Sequence, residues 1–179
     1  MVSDGIIENQ SAENVIFRQM VFKNVIFKQI NFRYLNLTDV VFENCDLSNA
    51  DFGEVSMDRV ELKNCKIIGI NMTESSLRNV VFDNCNGNYA MLRYADCKRV
   101  DFLDCSLSDA DFYTTKLSEV NFNHCNLEQA QMSGTKLSGI DLSSCIFDQL
   151  GVTSEDLRGL IISPEQAIVF SRAFGLVIK

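Results

Sequence analysis

Large apolar residues return at every fifth position of this chain. Between residues 17 and 147, 25 of the 27 positions whose number leaves remainder 2 on division by five are Leu, Phe, Met or Ile. The position two residues earlier is small or medium-sized and mostly apolar, and the residue between the two is often Asp or Asn. A helix repeats its apolar face near 3.6 residues and a strand near 2 residues. A period of five therefore indicates a repeated structural unit.

A second period of 20 residues is superimposed on the first. Cysteine recurs at every twentieth residue from 45 to 145, and Val or Ile does so from 40 to 140. Residues with a fixed period are stacked in columns in a solenoid, so four pentapeptides predict one coil, and stacked coils pair through backbone hydrogen bonds. The pattern predicts an all-β solenoid of about seven coils, in which Phe42, Leu47 and Phe52 point inward on three successive sides.

The runs "NADF", "DADF" and "CSLSDADFYTTKLSEVNFNHCNLEQA" resemble the pentapeptide-repeat family, whose motif is often written A-(D/N)-L-x-x. The resemblance extends over about residues 15 to 150 without a loop insertion. It implies a right-handed quadrilateral β-helix. We therefore expect an N-terminal cap at 1–14, the β-helix at 15–150, and a C-terminal capping or dimerisation segment at 151–179.

The repeat fades near residue 150, and the following segment predicts a short α-helix near 164–174. Ser163 is a suitable N-cap, Pro164 suits the first helical position, and Gln166 completes a capping box. One interpretation is a cap on the last open edge of the solenoid. A second interpretation adds a dimer contact, because the segment has more apolar residues than are needed to cover one end of the solenoid. The expected dimer contacts are Ile168, Phe170, Phe174, Leu176 and Ile178.

Two features that could carry chemistry have structural explanations. Cysteines in one column are ~4.8 Å apart with parallel Cα–Cβ bonds, which suits neither a relaxed disulfide nor a tetrahedral metal site. We interpret them as buried, reduced core residues. His124, the single histidine, is expected at an exposed corner without a partner for acid–base catalysis. We therefore expect no enzymatic activity, no metal site and no cofactor.

The coil around residues 75–97 is irregular. Ser75, Gly87 and Cys97 each replace a larger apolar residue at an inward position. We interpret this as variation within the repeat. The alternative is a local bend or bulge that presents the polar and aromatic residues of this stretch, which are Asn86, Asn88 and Tyr89.

Net charge and the N-terminus exclude several classes of function. The net charge of −8 disfavours direct binding of nucleic acid, which depends on Lys and Arg. The first ten residues do not resemble a secretory signal, and no apolar run has the length of a membrane span. We expect a cytoplasmic protein that binds neither nucleic acid nor a membrane.

Charge is segregated among the four predicted sides. Residues 36–150 contain 18 acids and nine bases. Six of these bases lie on the side centred on residues 57, 77, 97, 117 and 137, which we call the basic side: Arg59, Arg78, Lys98, Arg99, Lys116 and Lys136. The side centred on residues 42, 62, 82, 102, 122 and 142, which we call the acidic side, has six acids against Lys63: Glu43, Glu61, Asp83, Asp101, Asp104 and Asp141. Such a face either imitates DNA or keeps the solenoid soluble.

The ending "DLRGLIISPEQAIVFSRAFGLVI" is similar to that of the mycobacterial member of the quinolone-resistance pentapeptide proteins, the MfpA/Qnr group. This resemblance implies that the helix mediates a homodimer and that the acidic rod imitates DNA. It also implies binding to DNA gyrase, a type II topoisomerase, and an effect on its activity or quinolone sensitivity. We expect the six acids to face the partner and the basic side to face away. The alternative is a general protein–protein interaction scaffold unrelated to DNA.

Overall fold

The strands of this chain form one parallel sheet in which neighbours are 20 residues apart. The computed structural model describes residues 1–178, and in them seven strands follow each other in sequence order. The strands are β1 (Val2–Glu8), β2 (Ile16–Lys28), β3 (Asn36–Glu43), β4 (Ser56–Lys63), β5 (Ser76–Asp83), β6 (Asp96–Leu103) and β7 (Lys116–Asn123). Val40 lies opposite Val60, and Val60 lies opposite Val80. The 20-residue coil is confirmed.

Each coil has four corners, and each corner residue has a positive φ. From residue 4 to residue 139, every fifth residue has φ between 50° and 80°. Asn, Asp and Gly tolerate this left-handed region best and fill many of the corners. The coil therefore has four sides, which we name from residues 40–59 and their 20-residue repeats. They are the acidic side (40–44), the cysteine side (45–49), the tyrosine side (50–54) and the basic side (55–59).

The core consists of two inward side chains from each side of each coil. Phe42, Leu47 and Phe52 are all buried, which confirms their predicted orientation. The Phe82 and Phe102 rings stack with centroids 4.8 Å apart, close to the spacing of paired strands. Dispersion contacts along such columns and burial of apolar area together stabilise a core that runs the length of the solenoid.

The solenoid has about six turns, counted from β1 to β7, where the sequence predicted about seven coils. The coil after β7 is present as turns and isolated bridges, such as Asn126 to Ile146 and Asp141 to Ile161. At the other end, β1 pairs in register with β2. The segment 1–14, which we expected as a cap, thus has the geometry of a coil.

The irregular coil has no bulge. β5 and β6 pair without a break, and Asn86 bridges both Lys66 and Ser106. The space beside Gly87 is occupied by neighbouring coils, because a Cβ there would lie 3.0 Å from Leu107 Cδ2 and 3.2 Å from Ile67 Cδ1. The small inward residues are therefore variation within the repeat, and the bulge alternative is wrong.

Replacing Ser75 with Ala is expected to stabilise the protein by roughly 1 kcal/mol, because the buried hydroxyl makes no hydrogen bond within the described residues. Ala95 occupies the same column one coil later and is buried. Thr115→Ala is the matched control, since the Thr115 hydroxyl donates to Leu92 O at 2.7 Å and its loss should destabilise. Urea unfolding measures both changes, and destabilisation by Ser75→Ala would contradict the prediction.

Helix α1 (Pro164–Ala173) closes the C-terminal end of the solenoid. The capping box between Ser163 and Gln166 is present as predicted. Gln166 is buried, and its Nε2 donates to Leu142 O and Cys145 O at 2.8 Å each. Phe170 packs on Phe147, with ring centroids 5.7 Å apart. Within residues 1–178, no helix has the length and apolar character needed to cross a bilayer.

Candidate protein-interaction surfaces

The acidic and basic sides are neighbours and share a corner. Each strand from β3 to β7 begins on the basic side and ends on the acidic side. The shared corner contains Asp39, Arg59, Asn79, Arg99 and Glu119, all with positive φ. The basic side therefore lies opposite the cysteine side, and the acidic side lies opposite the tyrosine side. A partner that covers the acidic side also meets the edge of the basic side.

Two of the six predicted acids form ion pairs with lysines of the same side. Glu43 Oε1 lies 2.9 Å from Lys23 Nζ, one coil away, and Glu61 Oε2 lies 2.5 Å from Lys63 Nζ. All four side chains are partly exposed, so each pair is screened by water and weak. These pairs nevertheless reduce the negative potential at the N-terminal part of the acidic side.

The other four acids extend along the acidic side towards the C-terminus. Asn121 Nδ2 donates to Asp101 Oδ1 at 2.6 Å. Hydrogen bonds from Ser143 lower the pKa of Asp141, so that this carboxylate is ionised at neutral pH. Asp83 is half-buried at the end of β5, and Asp104 is an exposed corner residue. The structure thus places three of the four on two adjacent coils and Asp141 two coils further on, with no acid between them at 120–124.

Two of the six bases of the basic side form ion pairs with acids of the same side. Arg59 bonds to both Asp58 and Asp39, the latter at 2.6 Å, and the guanidinium lowers the pKa of Asp39. Arg78 bonds to Asp96 at 2.7 Å. Between residues 36 and 150 the acidic side has six acids and one base and the basic side has four acids and six bases, so the contrast between them comes mainly from the bases.

The cysteines and the histidine, which could support catalysis in other settings, lie in the core and at a corner of the solenoid. In residues 1–178, no group of three or more His, Cys, Asp and Glu side chains could hold a metal ion. The seven cysteines are free and buried, as predicted. Column thiols donate to backbone carbonyls, for example Cys85 Sγ to Leu62 O at 3.3 Å, and burial raises the pKa of Cys97 to about 12. His124 is exposed at a corner.

Residues after α1 form an exposed apolar surface. Phe174 is 51% exposed, Leu176 is 62% exposed and Ile178 is exposed as well, and Ile168 is an exposed residue within α1. Phe170, which the sequence grouped with them, is 8% exposed and belongs to the cap. Helical periodicity predicted which residues are apolar on one face of the helix. It did not predict which of them pack on the last coil.

A second exposed surface with apolar residues lies on the tyrosine side and at its corner with the cysteine side. It consists of the exposed residues Tyr89, Met91, Arg93 and Tyr94 and the half-buried Tyr113, which together we call the tyrosine patch. The sequence indicated Tyr89 but not the others. The 20-residue period applied to the outward residues of this side could have found them, since Tyr113 is one coil beyond Arg93 and both lie near Tyr94.

Two family models match the repeat region. A model described as "Pentapeptide repeat region" matches residues 35–112, and one described as "Pentapeptide repeats (8 copies)" matches residues 110–149. Together they cover residues 35–149 of the 179-residue chain, which is more than half of it. No curated protein sequence matches the chain.

Several solved structures are similar to this chain. A trypsin-treated variant of QnrB1, described as a plasmid-mediated fluoroquinolone resistance protein, is 20% identical over 99% of this chain and 98% of its own, with a TM-score of 0.40. HetL from the cyanobacterium Nostoc, a pentapeptide repeat protein involved in heterocyst differentiation regulation, is 14% identical over 89% and 90%, with a TM-score of 0.37. A thylakoid lumen protein of Arabidopsis thaliana is 15% identical over 71% and 74%, with a TM-score of 0.28.

Proposed function

We propose that this chain, which belongs to the pentapeptide-repeat family, is a non-enzymatic protein that binds DNA gyrase in place of DNA. The observation that carries the proposal is the segregation of charge on a straight stack of coils. Between residues 36 and 150, the acidic, cysteine and tyrosine sides together contain 14 acids and three bases. Gyrase handles DNA in the cytoplasm, where we place this protein.

Electrostatic complementarity explains how such a rod would be recognised. An enzyme that holds duplex DNA has a channel lined by Lys and Arg, because DNA carries one charge per ~1.7 Å. Opposed potentials steer the two proteins together and align the rod with the channel. Asp83, Asp101, Asp104 and Asp141 supply this potential on three of four successive coils, the coil at 120–124 having no acid on this side. The rod's own net negative charge disfavours direct contact with nucleic acid.

A general interaction scaffold is the second candidate, and one observation favours it. Glu43 and Glu61 pair with lysines of the same side, as acids do when their role is to solvate a surface. Under this candidate, the acids maintain solubility and the partner has no relation to DNA.

Gyrase supercoiling with and without the protein tests the proposal. We expect the protein to alter supercoiling and to bind the enzyme in competition with linear duplex DNA. Binding should weaken steeply as salt increases, because ionic contacts dominate. Binding that is absent at low salt would overturn the proposal and leave the scaffold as the remaining candidate.

Removal of the exposed apolar surface after α1 is expected to yield monomers. Phe174→Ser with Leu176→Ser deletes two side chains that are more than half exposed, so the fold should persist while the dimer dissociates. Light scattering should give about twice 20.2 kDa for the wild type and 20.2 kDa for the variant. Ile146→Ser, at an exposed residue of the cysteine side, is the matched control and should remain dimeric. A wild-type mass of 20.2 kDa would refute the dimer.

A further inference from the structure

Exposed large apolar side chains are concentrated at one place along the middle of the rod. Among residues 35–145, all of which the structure describes, they are Tyr89, Met91 and Tyr94, with exposed fractions of 59%, 37% and 49%. All three lie within six residues of the same coil. Tyr and Met are enriched in the cores of protein interfaces. The location therefore indicates a contact surface.

Backbone conformation provides an independent observation. Tyr89 and Tyr94 are corner residues with φ of 61° and 59°. This left-handed region disfavours bulky side chains, and Asn or Gly would fit these corners better. Both corners therefore carry a conformational cost that Asn or Gly would avoid. A contact outside the chain would account for tyrosines at these two successive corners.

The tyrosine patch is held rigidly by the adjacent coil. Asn88 Oδ1 accepts hydrogen bonds from Ser106 Oγ at 2.7 Å and from Ser108 N at 3.1 Å, which fixes the turn that carries Tyr89. The Arg93 guanidinium lies over the Tyr113 ring at 5.1 Å and over the Tyr94 ring at 5.8 Å. Rigid aromatic anchors lose little conformational entropy on binding, so this arrangement favours affinity.

Acids around the patch determine the chemistry of its occupant. Glu74 precedes Tyr94 by one coil, Asp109 follows Tyr89 by one coil, and Asp111 Oδ2 lies 3.6 Å from Arg93 Nε. Three acids against one base give an apolar centre with a negative rim. The complementary surface presents an apolar side chain flanked by Lys or Arg.

We propose that the tyrosine patch is a second contact of the rod with the partner that holds its acidic side. This inference rests on the proposed function. The tyrosine side lies opposite the acidic side, so a flat partner surface could not touch both. A channel that closes around the rod touches both, and its second wall meets the patch. The acidic side supplies salt-dependent attraction, while the patch supplies affinity that salt does not remove.

The test is binding of purified gyrase to the Tyr89→Asn/Tyr94→Asn double variant across a salt series. Asn tolerates the left-handed region, so the variant should fold and melt at or above the wild-type temperature. Affinity should decrease by about tenfold or more at every salt concentration, as for hot-spot tyrosines, with an unchanged salt slope. Tyr34→Asn is the matched control, because Tyr34 is also an exposed corner tyrosine beside an arginine, three coils from Tyr94.

The outcomes separate this inference from the proposed function. If wild-type protein binds gyrase and the double variant binds equally well, the tyrosine patch is not a contact and the proposed function stands. If Tyr34→Asn weakens binding as much as the double variant, the effect belongs to corner tyrosines in general and the patch is overturned. If wild-type protein does not bind gyrase, the proposed function fails and this inference fails with it.

Discussion

Neutralising the six carboxylates of the acidic side is expected to weaken gyrase binding by about a hundredfold at low salt, equivalent to about 2.7 kcal/mol. The substitutions are Glu43→Gln, Glu61→Gln, Asp83→Asn, Asp101→Asn, Asp104→Asn and Asp141→Asn. Each amide retains an oxygen that accepts hydrogen bonds, so the bond from Ser143 N to residue 141 can persist. The loss should therefore come from charge rather than from misfolding. Titration of gyrase at several salt concentrations measures affinity and its salt slope together.

The ion pairs of the acidic side predict which of the six carboxylates contribute most to binding. Glu43 and Glu61 are partly neutralised by Lys23 and Lys63, so neutralising only the other four acids should cause most of the loss. Neutralising the four bases of the basic side that lie outside the shared corner, Arg78, Lys98, Lys116 and Lys136, is the control, and we expect little change from it. Equal, small effects from both sets at physiological salt would favour the scaffold.

Periodicity was sufficient to predict the fold because the solenoid repeats one local rule. An inward pair followed by a left-handed corner recurs every five residues, so Phe42, Leu47 and Phe52 could be oriented without a template. Their burial and the Ser163 capping box follow from local sequence. The period did not predict where the strands stop, because the last coil keeps its inward residues but has no strands.

The candidate surfaces depend on contacts between side chains of different coils. Counting the charged residues of each side does not predict these contacts. The ion pair of Lys23 with Glu43 was not predicted, since Lys23 lies outside residues 36–150. The 20-residue period nevertheless places the two residues in one column. The shared corner of the acidic and basic sides follows from the order of the sides. The direction of Phe170 could not be predicted, since periodicity does not show how a helix docks.

Replacing Gln166 with Ala is expected to lower the stability of the C-terminal coil by about 2–4 kcal/mol. Gln166 Nε2 donates to Leu142 O and Cys145 O, and its Oε1 accepts from Ser163 N at 2.9 Å. The substitution leaves Cys145 O without a donor, leaves Leu142 O with the Cys145 amide as its donor, and removes half of the capping box. Because solenoid coils contact only their neighbours, the effect should be confined to the end that α1 covers.

Hydrogen exchange locates this effect and tests its cause. Amides of residues 140–160 should lose protection in the Gln166→Ala variant, while those of β3 to β6 should not. Ser163→Ala is the matched control, since it removes the N-cap alone and should cost about 1 kcal/mol. If Gln166→Ala costs no more than Ser163→Ala, the two carbonyl contacts contribute little and Phe170 alone fastens the helix. If it costs more, a buried polar side chain closes the solenoid and positions Phe174 for the proposed dimer.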